Sequence, residues 1–314
     1  MEYTNSQSPA GLDRLGLSAV LVTAAAWGMT GVFVRFLSDF SAPAIVAGRL
    51  LFSLLLIGPI VLWSRYYRRT LAIDFGNPAT WKLAGLLFLY YFAAVAAFGL
   101  APVSDVALLI SVSPLFILVY RLLDRSGARR FHPVEWTGAL IAIIGVFLIT
   151  LGDAVGDGVS FSRVQGDLLA LGAAWATATY AALFRRASDA SRAPHATSVA
   201  FTSSFFGGLI ALAAADIYSA RPLGSLDGTA ILHFLGLGIL STAVPSLAYA
   251  TGSKRLYPLV TTTIRLSTPV FATVFALIFL NEPPSTWTIP GGAMILAGMY
   301  LTLNPDLGRT PTAR

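Results

Sequence analysis

The sequence predicts an all-α integral membrane protein in which ten transmembrane helices form two inverted five-helix repeats. Three observations predict it. Only 11% of the 314 residues are charged, while 56% are hydrophobic; a soluble domain of this length carries roughly a quarter charged residues to cover its surface. The apolar residues gather into ten runs, each long enough to cross about 30 Å of hydrocarbon at about 1.5 Å per residue. Short motifs in the first five runs recur, in the same order, in the last five.

The runs follow one another with turn and charge signals between them. The first, 15–36, comes after a polar stretch holding Glu2 and Asp13. A secretory leader needs a basic start, a short apolar core and a cleavage site, so this run is read as a retained membrane helix. Ser41-Ala42-Pro43 opens the second run, 43–63, and the cationic stretch Arg65 to Arg69 separates it from the third, 81–100. Ala101-Pro102 leaves room only for a tight hairpin before the fourth, 103–122. Arg125 to Pro133 precede the fifth, 135–151. Residues 1–151 thus make the first repeat and 152–164 a linker on the outer side. The second repeat, 165–303, holds runs 165–184, 196–216, 230–251, 258–279 and 286–303. Its breaks are Arg192 to Pro194, Arg221-Pro222 and Asn281 to Pro284, and 304–314 is a tail.

Charge sets the orientation. With the N-terminus in the cytoplasm and ten alternating spans, the inner segments hold Arg14, Arg65, Arg68, Arg69, Lys82, Arg121, Arg125, Arg129, Arg130, Arg185, Arg186, Arg192, Lys254, Arg255, Arg309 and Arg314. That is sixteen of the 21 Lys and Arg; the outer segments hold Arg35, Arg163 and Arg221. Positive residues favour the cytoplasmic side, so both termini are expected there, in the inner (plasma) membrane of a bacterium. Nine or eleven spans would break the alternation.

The repeat is carried by matching pieces. Ala25-Ala26-Trp27 recurs as Ala173-Ala174-Trp175, Ser113-Pro114-Leu115-Phe116 as Thr268-Pro269-Val270-Phe271, and Gly145-Val146-Phe147-Leu148 as Gly298-Met299-Tyr300-Leu301. Each half has an odd number of spans, so the second half enters the bilayer from the opposite side. Inverted repeats place a site near the midplane between the halves and give alternating access by exchanging their two arrangements. This pattern points to transport.

These pieces also make the chain resemble the EamA family of the drug/metabolite transporter superfamily. The matching residues are Ala26-Trp27-Gly28, Arg49 after Ala47-Gly48, Ser113-Pro114, Gly138 and Gly145, then Thr268-Pro269, Asn281-Glu282 and Gly298. One departure stands out. The acidic pair expected after the fourth run is Asp124-Arg125 here, so no acidic role is carried onto it. The resemblance implies an exporter of small amphipathic metabolites, with amino acids, aromatic or hydrophobic ones among them, as the first reading. Drug or cation exporters and phosphorylated-sugar or nucleotide-sugar carriers of the same superfamily are the alternatives. A channel comes after them.

Several side chains suit a substrate site. Trp63, Trp81, Trp136 and Trp287 fall at run ends, where the interfacial belt accounts for them. Trp27 and Trp175 fall mid-span at equivalent places, as packing or as two walls of a central cavity. Thr23 and Thr30 share the face of Trp27, and Thr179 follows Trp175 by one turn; such hydroxyls also bond their own backbone. Tyr90 and Tyr91 lie mid-span in the third run, with Pro245, Ser246 and Tyr249 in the corresponding eighth. Arg265 is a cation for a substrate carboxylate, or a cap on cytoplasmic carbonyls. Arg49 is a gate or structural ion pair with Asp105 or Glu282. Intramembrane cations are costly and face the bundle interior. Pro114, Pro245 and Pro269 are expected kinks, and the runs Gly138/Ala142/Gly145 and Gly291/Gly292/Gly298 allow close helix approach, as internal packing or as a dimer seam.

Absences bound the rest. There is no cysteine, and no His-Glu-x-x-His, Gly-x-Ser-x-Gly or Cys/His cluster signals an enzyme, a metal or a cofactor. Histidines and acids avoid the span centres, so no proton relay is evident. The partners expected are a small-molecule substrate and the lipid bilayer, with no nucleic acid, for a monomer or weak homodimer.

Overall fold

A computed structural model describes residues 13–123, 133–156, 160–215, 226–256 and 264–303, and helix is the regular structure throughout them. Eight helical segments are long and apolar enough to cross a membrane, and two further apolar helices, Thr268–Leu280 and Thr288–Leu303, are shorter. Each of the ten expected runs overlaps one of these ten segments. The beginning of the ninth run and the tail 304–314 lie outside the described residues. So do Arg125, Arg129, Arg130, Arg221, Arg309 and Arg314 among the inner and outer cations.

The helices in order are α1 (Arg14–Gly28), α2 (Thr30–Phe36), α3 (Ala42–Trp63), α4 (Arg65–Phe75), α5 (Pro78–Leu100), α6 (Val103–Ser111) and α7 (Ser113–Leu123). There follow α8 (Pro133–Gly156), α9 (Phe161–Asp189), α10 (Ala196–Thr202), α11 (Gly208–Ala215), α12 (Gly228–Leu235), α13 (Val244–Arg255), α14 (Thr268–Leu280) and α15 (Thr288–Leu303). Local chemistry sets many of the ends. Asp13, Ser41, Ser64, Asn77 and Asp227 each accept a hydrogen bond from a backbone N–H of the first turn they cap. Pro43 and Pro78 stand in first turns, where a missing N–H costs nothing. Asn281 ends α14 in the left-handed region at φ 52°, a conformation asparagine tolerates better than most residues.

Two expectations change in detail. The cationic stretch after the second run is not a loop but α4, capped by Ser64. Arg65, Arg68 and Arg69 are exposed, while Leu71 packs on Ile57, Val61 and Ala243. Such a helix is too short and charged to span, and its two-faced pattern suits the interface. The linker expected at 152–164 is mostly helical, because α8 runs to Gly156 and α9 starts at Phe161.

The three expected kink prolines each stand at the second position of a helical segment, while Pro59 lies inside the unbroken α3. The fourth run breaks at Val112 and restarts as α7, with Pro114 at its second position. Ser267 precedes α14, whose second residue is Pro269. Pro245 is the second residue of α13, directly after a π-helical segment, Gly236–Ala243. A second π-helical segment, Ser203–Gly207, joins α10 to α11. π-Bulges of this kind concentrate at functional sites.

Small residues let the helices approach. On α8 and α15, Gly138 faces Gly298 and Gly145 faces Gly291, so closely that a Cβ on Gly145 would stand 2.6 Å from the Gly291 carbonyl oxygen. These glycines therefore serve packing within the chain, and not a seam to a second copy. Gly238 lies directly against the backbone of Arg49 and Ser53 on α3, and Gly48 receives the ring of Phe234. Helix α3 is thus wedged against the segment Gly236–Ala243.

Candidate functional site

Arg49 occupies the middle of the α3 wedge and is 1% exposed. Its surroundings follow from Pro245. A proline has no N–H to give the carbonyl four residues earlier, which here is that of Ser241. The Ser241 carbonyl instead accepts from the Arg49 Nη2 at 3.3 Å. Arg49 Nε donates to the Thr242 hydroxyl at 2.9 Å, and Thr242 donates onward to the Leu237 carbonyl. The Arg49 Cζ lies over the Tyr91 ring, 4.6 Å from its centroid, and Tyr90 flanks that ring at 5.1 Å. Ser246 stands beside the Tyr91 hydroxyl. One turn on from Arg49, buried Ser53 donates to Ser204 of the other π-helical segment at 3.0 Å.

Magnitudes show what this arrangement leaves undone. Burying an ion costs several kcal/mol. A desolvated cation–π contact returns about 2 kcal/mol, and hydrogen bonds from a charged donor roughly 1.5–3 kcal/mol each. The guanidinium is therefore tolerated, but every partner it has is neutral. No carboxylate of the described residues pairs with it, and its Nη1 has no hydrogen-bond partner among them. The hydroxyls of Ser241 and Ser203 on the two π-helical segments, and of Thr202 at the end of α10, are likewise buried without one. The expected pairing of Arg49 with Asp105 or Glu282 is not what forms. Those acids take other cations, because they sit at the end of the bundle while Arg49 sits inside it.

At that end, Glu282 faces Arg35 at 3.6 Å and accepts from the Val103 backbone N–H at 2.7 Å; Arg35 also donates to the Ala101 carbonyl. Asp105, fully buried, pairs with Arg163 and accepts from Thr288. These contacts tie the 101–103 hairpin to α9 and to the residues between α14 and α15. The opposite end is tied by Asp13 with Arg255 at 3.0 Å and by Asp74, which accepts from the His195 backbone N–H at 3.0 Å.

The other expected residues fall into separate groups. Trp27 and Tyr249 meet at 5.8 Å between centroids, and the Arg265 guanidinium lies over both rings, at 5.1 and 5.2 Å. One helix of the first half and two segments of the second thus bring a cation over a pair of adjoining aromatic rings. Thr23 bonds its own helix at Ala19 and reaches the Pro245 carbonyl at 3.4 Å. Thr30 is buried. Trp175 does not mirror Trp27. It is 41% exposed and among the described residues makes no ring contact with Trp27, Tyr91 or Tyr249. Thr179 donates to the Trp175 carbonyl and shares a hydrogen bond with the Tyr120 hydroxyl at 2.6 Å. The residues that sequence reasoning missed are Ser53, Ser204, Ser241 and Thr242. A signal existed in the proline four residues after Ser241, but mid-helix hydroxyls usually bond their own backbone.

Comparison with known proteins adds the family. The profile of the EamA-like transporter family matches residues 14–151 and, a second time, residues 164–304. An uncharacterised transporter of Archaeoglobus fulgidus is 24% identical over 291 residues, covering 92% of this chain and 96% of the relative. The threonine/homoserine exporter RhtA of Escherichia coli strain K12 is 28% identical over 231 residues, 71% of this chain and 68% of that protein. A solved crystal structure of a protein 22% identical in sequence superposes with a TM-score of 0.60 over 91% of this chain and 95% of the other, and so shares its fold.

Proposed function

Since the chain belongs to the EamA-like transporter family, we propose that it exports small amphipathic metabolites, amino acids in the first place, by alternating access through a central cavity. The observation that carries this reading is the buried Arg49 guanidinium with Nη1 unpartnered, set against Tyr91 and the hydroxyls of two π-helical segments. A transport site for an amino acid needs fixed polar anchors in an otherwise apolar path, with aromatic surface for the side chain. Trp27, Tyr249 and Arg265 supply a second aromatic and cationic group, and Tyr90, Thr30, Trp175 and Thr179 belong to the same proposal.

The twofold match of one family profile supports a tandem repeat, and the odd number of apolar runs in each half supports its inversion. The placement of the Lys and Arg residues supports ten spans with both termini in the cytoplasm, in a cell inner membrane. The named activity of the Escherichia coli relative supports an amino-acid substrate. A buried cation without a counter-charge repels cationic drugs, and a lone pair of intramembrane cations is few for a phosphorylated sugar.

The test is uptake of a labelled amino-acid panel into proteoliposomes by the native chain, Trp27→Ala and Trp175→Ala. Saturable uptake of one class, with counterflow, supports the reading, and weakening in both variants places both tryptophans at the substrate. Folded protein that carries no amino acid removes that substrate class and directs the search to phosphorylated sugars and cationic drugs.

A further inference from the structure

We infer that Arg49, and not Arg265, is the carboxylate anchor of the transport site, which selects substrates carrying a single carboxylate near an apolar or hydroxylated side chain. This deepens the amino-acid reading and rests on it for the rest of the substrate. Of the two intramembrane arginines, Arg265 is part-exposed and already lies over the adjoining rings of Trp27 and Tyr249. Arg49 is fully enclosed, has no carboxylate partner among the described residues, and keeps Nη1 without an acceptor.

The geometry also sets the class of anion. The Arg49 Cζ lies over the Tyr91 ring, so that side of the guanidinium is taken by the aromatic. Nε and Nη2 are held by Thr242 and by the Ser241 carbonyl that Pro245 leaves without an N–H. That leaves Nη1 as the group presented to an anion. A single cation suits a monoanion, whereas a phosphate dianion wants several. The buried, unpartnered hydroxyls of Ser241 and Ser203 lie on the two π-helical segments that pack against α3, and Thr202, the last residue of α10, adds a third beside them. Both segments belong to the second half and Arg49 to the first, so carboxylate binding draws the two halves onto one ligand.

The probes are L-phenylalanine, L-phenylalaninamide and 3-phenylpropionate, with L-threonine and L-threoninamide as a second pair. Each amide removes only the carboxylate charge; phenylpropionate removes only the amine. Thermal unfolding of the detergent-solubilised full chain is measured with each, and uptake is measured in proteoliposomes for the wild type, Arg49→Gln, Arg49→Lys and Arg265→Gln. We expect the carboxylates to stabilise the wild type and be preferred over the amides by tenfold or more. Arg49→Gln abolishes that preference and Arg49→Lys reduces it severalfold, since an ammonium loses the planar fork. Arg265→Gln weakens acid and amide alike. If Arg49→Gln does not fold, Arg49→Lys and the wild-type contrast decide: equal stabilisation by acid and amide overturns the inference. Uptake of amino acids with an undiminished acid preference in the Arg49 variants also overturns it while leaving the transport reading intact. Phenylpropionate stabilisation that depends on Arg49, in a protein that carries no amino acid, supports the anchor and removes the amino-acid reading.

Discussion

Replacing Gly145 by alanine should loosen the pairing of α8 with α15, and the structure gives a magnitude. The added methyl would lie 2.6 Å from the Gly291 carbonyl oxygen and 2.9 Å from the Ile295 nitrogen, where ordinary contact begins at 3.4 Å. Both neighbours are backbone, so no rotamer change relieves the clash. The helices must separate locally by about 0.8 Å, and a gap of ~0.5–1 Å forfeits a quarter to a half of each dispersion contact. For roughly 40 contacts of ~0.15 kcal/mol each, losing about a third costs about 2 kcal/mol, inside the ~1–3 kcal/mol typical of overpacking. Gly172→Ala is the control, because a Cβ there meets nothing within 4 Å; better helix propensity should stabilise it by up to about 1 kcal/mol. Reversible unfolding in mixed micelles, followed by tryptophan fluorescence, measures both. If Gly145→Ala proves as stable as the native chain, the reading of this seam as glycine-dependent packing is refuted.

Other outcomes follow from the ends of the bundle. Removing Arg163 takes a cation from the fully buried Asp105, so Arg163→Gln should cost about 3–5 kcal/mol, against ~1 kcal/mol or less for Arg35→Gln in the pair with Glu282, where both side chains are part-exposed. Equal losses in the same unfolding assay would contradict the burial argument. The hydrogen bond from Arg255, the largest influence on it, holds the Asp13 carboxyl below its ordinary value of 3.8. A depressed carboxylate stabilises the fold above that ordinary value and loses its effect as pH falls through the lowered one. Carbon-detected NMR should therefore show the Asp13 titration moving up in Arg255→Gln, and Asp13→Asn should lower the unfolding midpoint at neutral pH more than at pH 3. Pro245→Ala restores an N–H for the Ser241 carbonyl and competes with Arg49 Nη2. Carboxylate affinity should change severalfold in this variant while amide uptake stays constant, and an unchanged affinity would remove the proline from the account of the site.

Much of the fold was legible because membrane helices obey a local rule. An apolar run of the right length has nowhere to satisfy its backbone except in itself, so composition and spacing alone locate Ala42–Trp63 or Pro78–Leu100 to within a few residues. Caps such as Ser41 and Asn77, and the prolines that restart α7 and α14, act over three or four residues and are equally readable. The glycines of the fifth and last runs were readable as close-approach residues, though not as each other's partners.

The site was legible only in part. Arg49, Tyr91, Trp27, Tyr249 and Arg265 stood out because charged and aromatic side chains are unusual mid-span. Which of them meet depends on contacts across nearly two hundred residues of chain. The sequence by itself determined a helical, membrane-spanning chain with a doubled family pattern, since hydropathy, charge and repeats are properties of neighbours along the chain. Tertiary structure alone decided that Asp105 belongs to Arg163, that Glu282 belongs to Arg35, and that Trp175 does not mirror Trp27. It also decided that a carbonyl set free by Pro245 turns to Arg49. Ion pairs and orphaned carbonyls are settled by which helices pack side by side, and that packing is governed by shape rather than by sequence spacing.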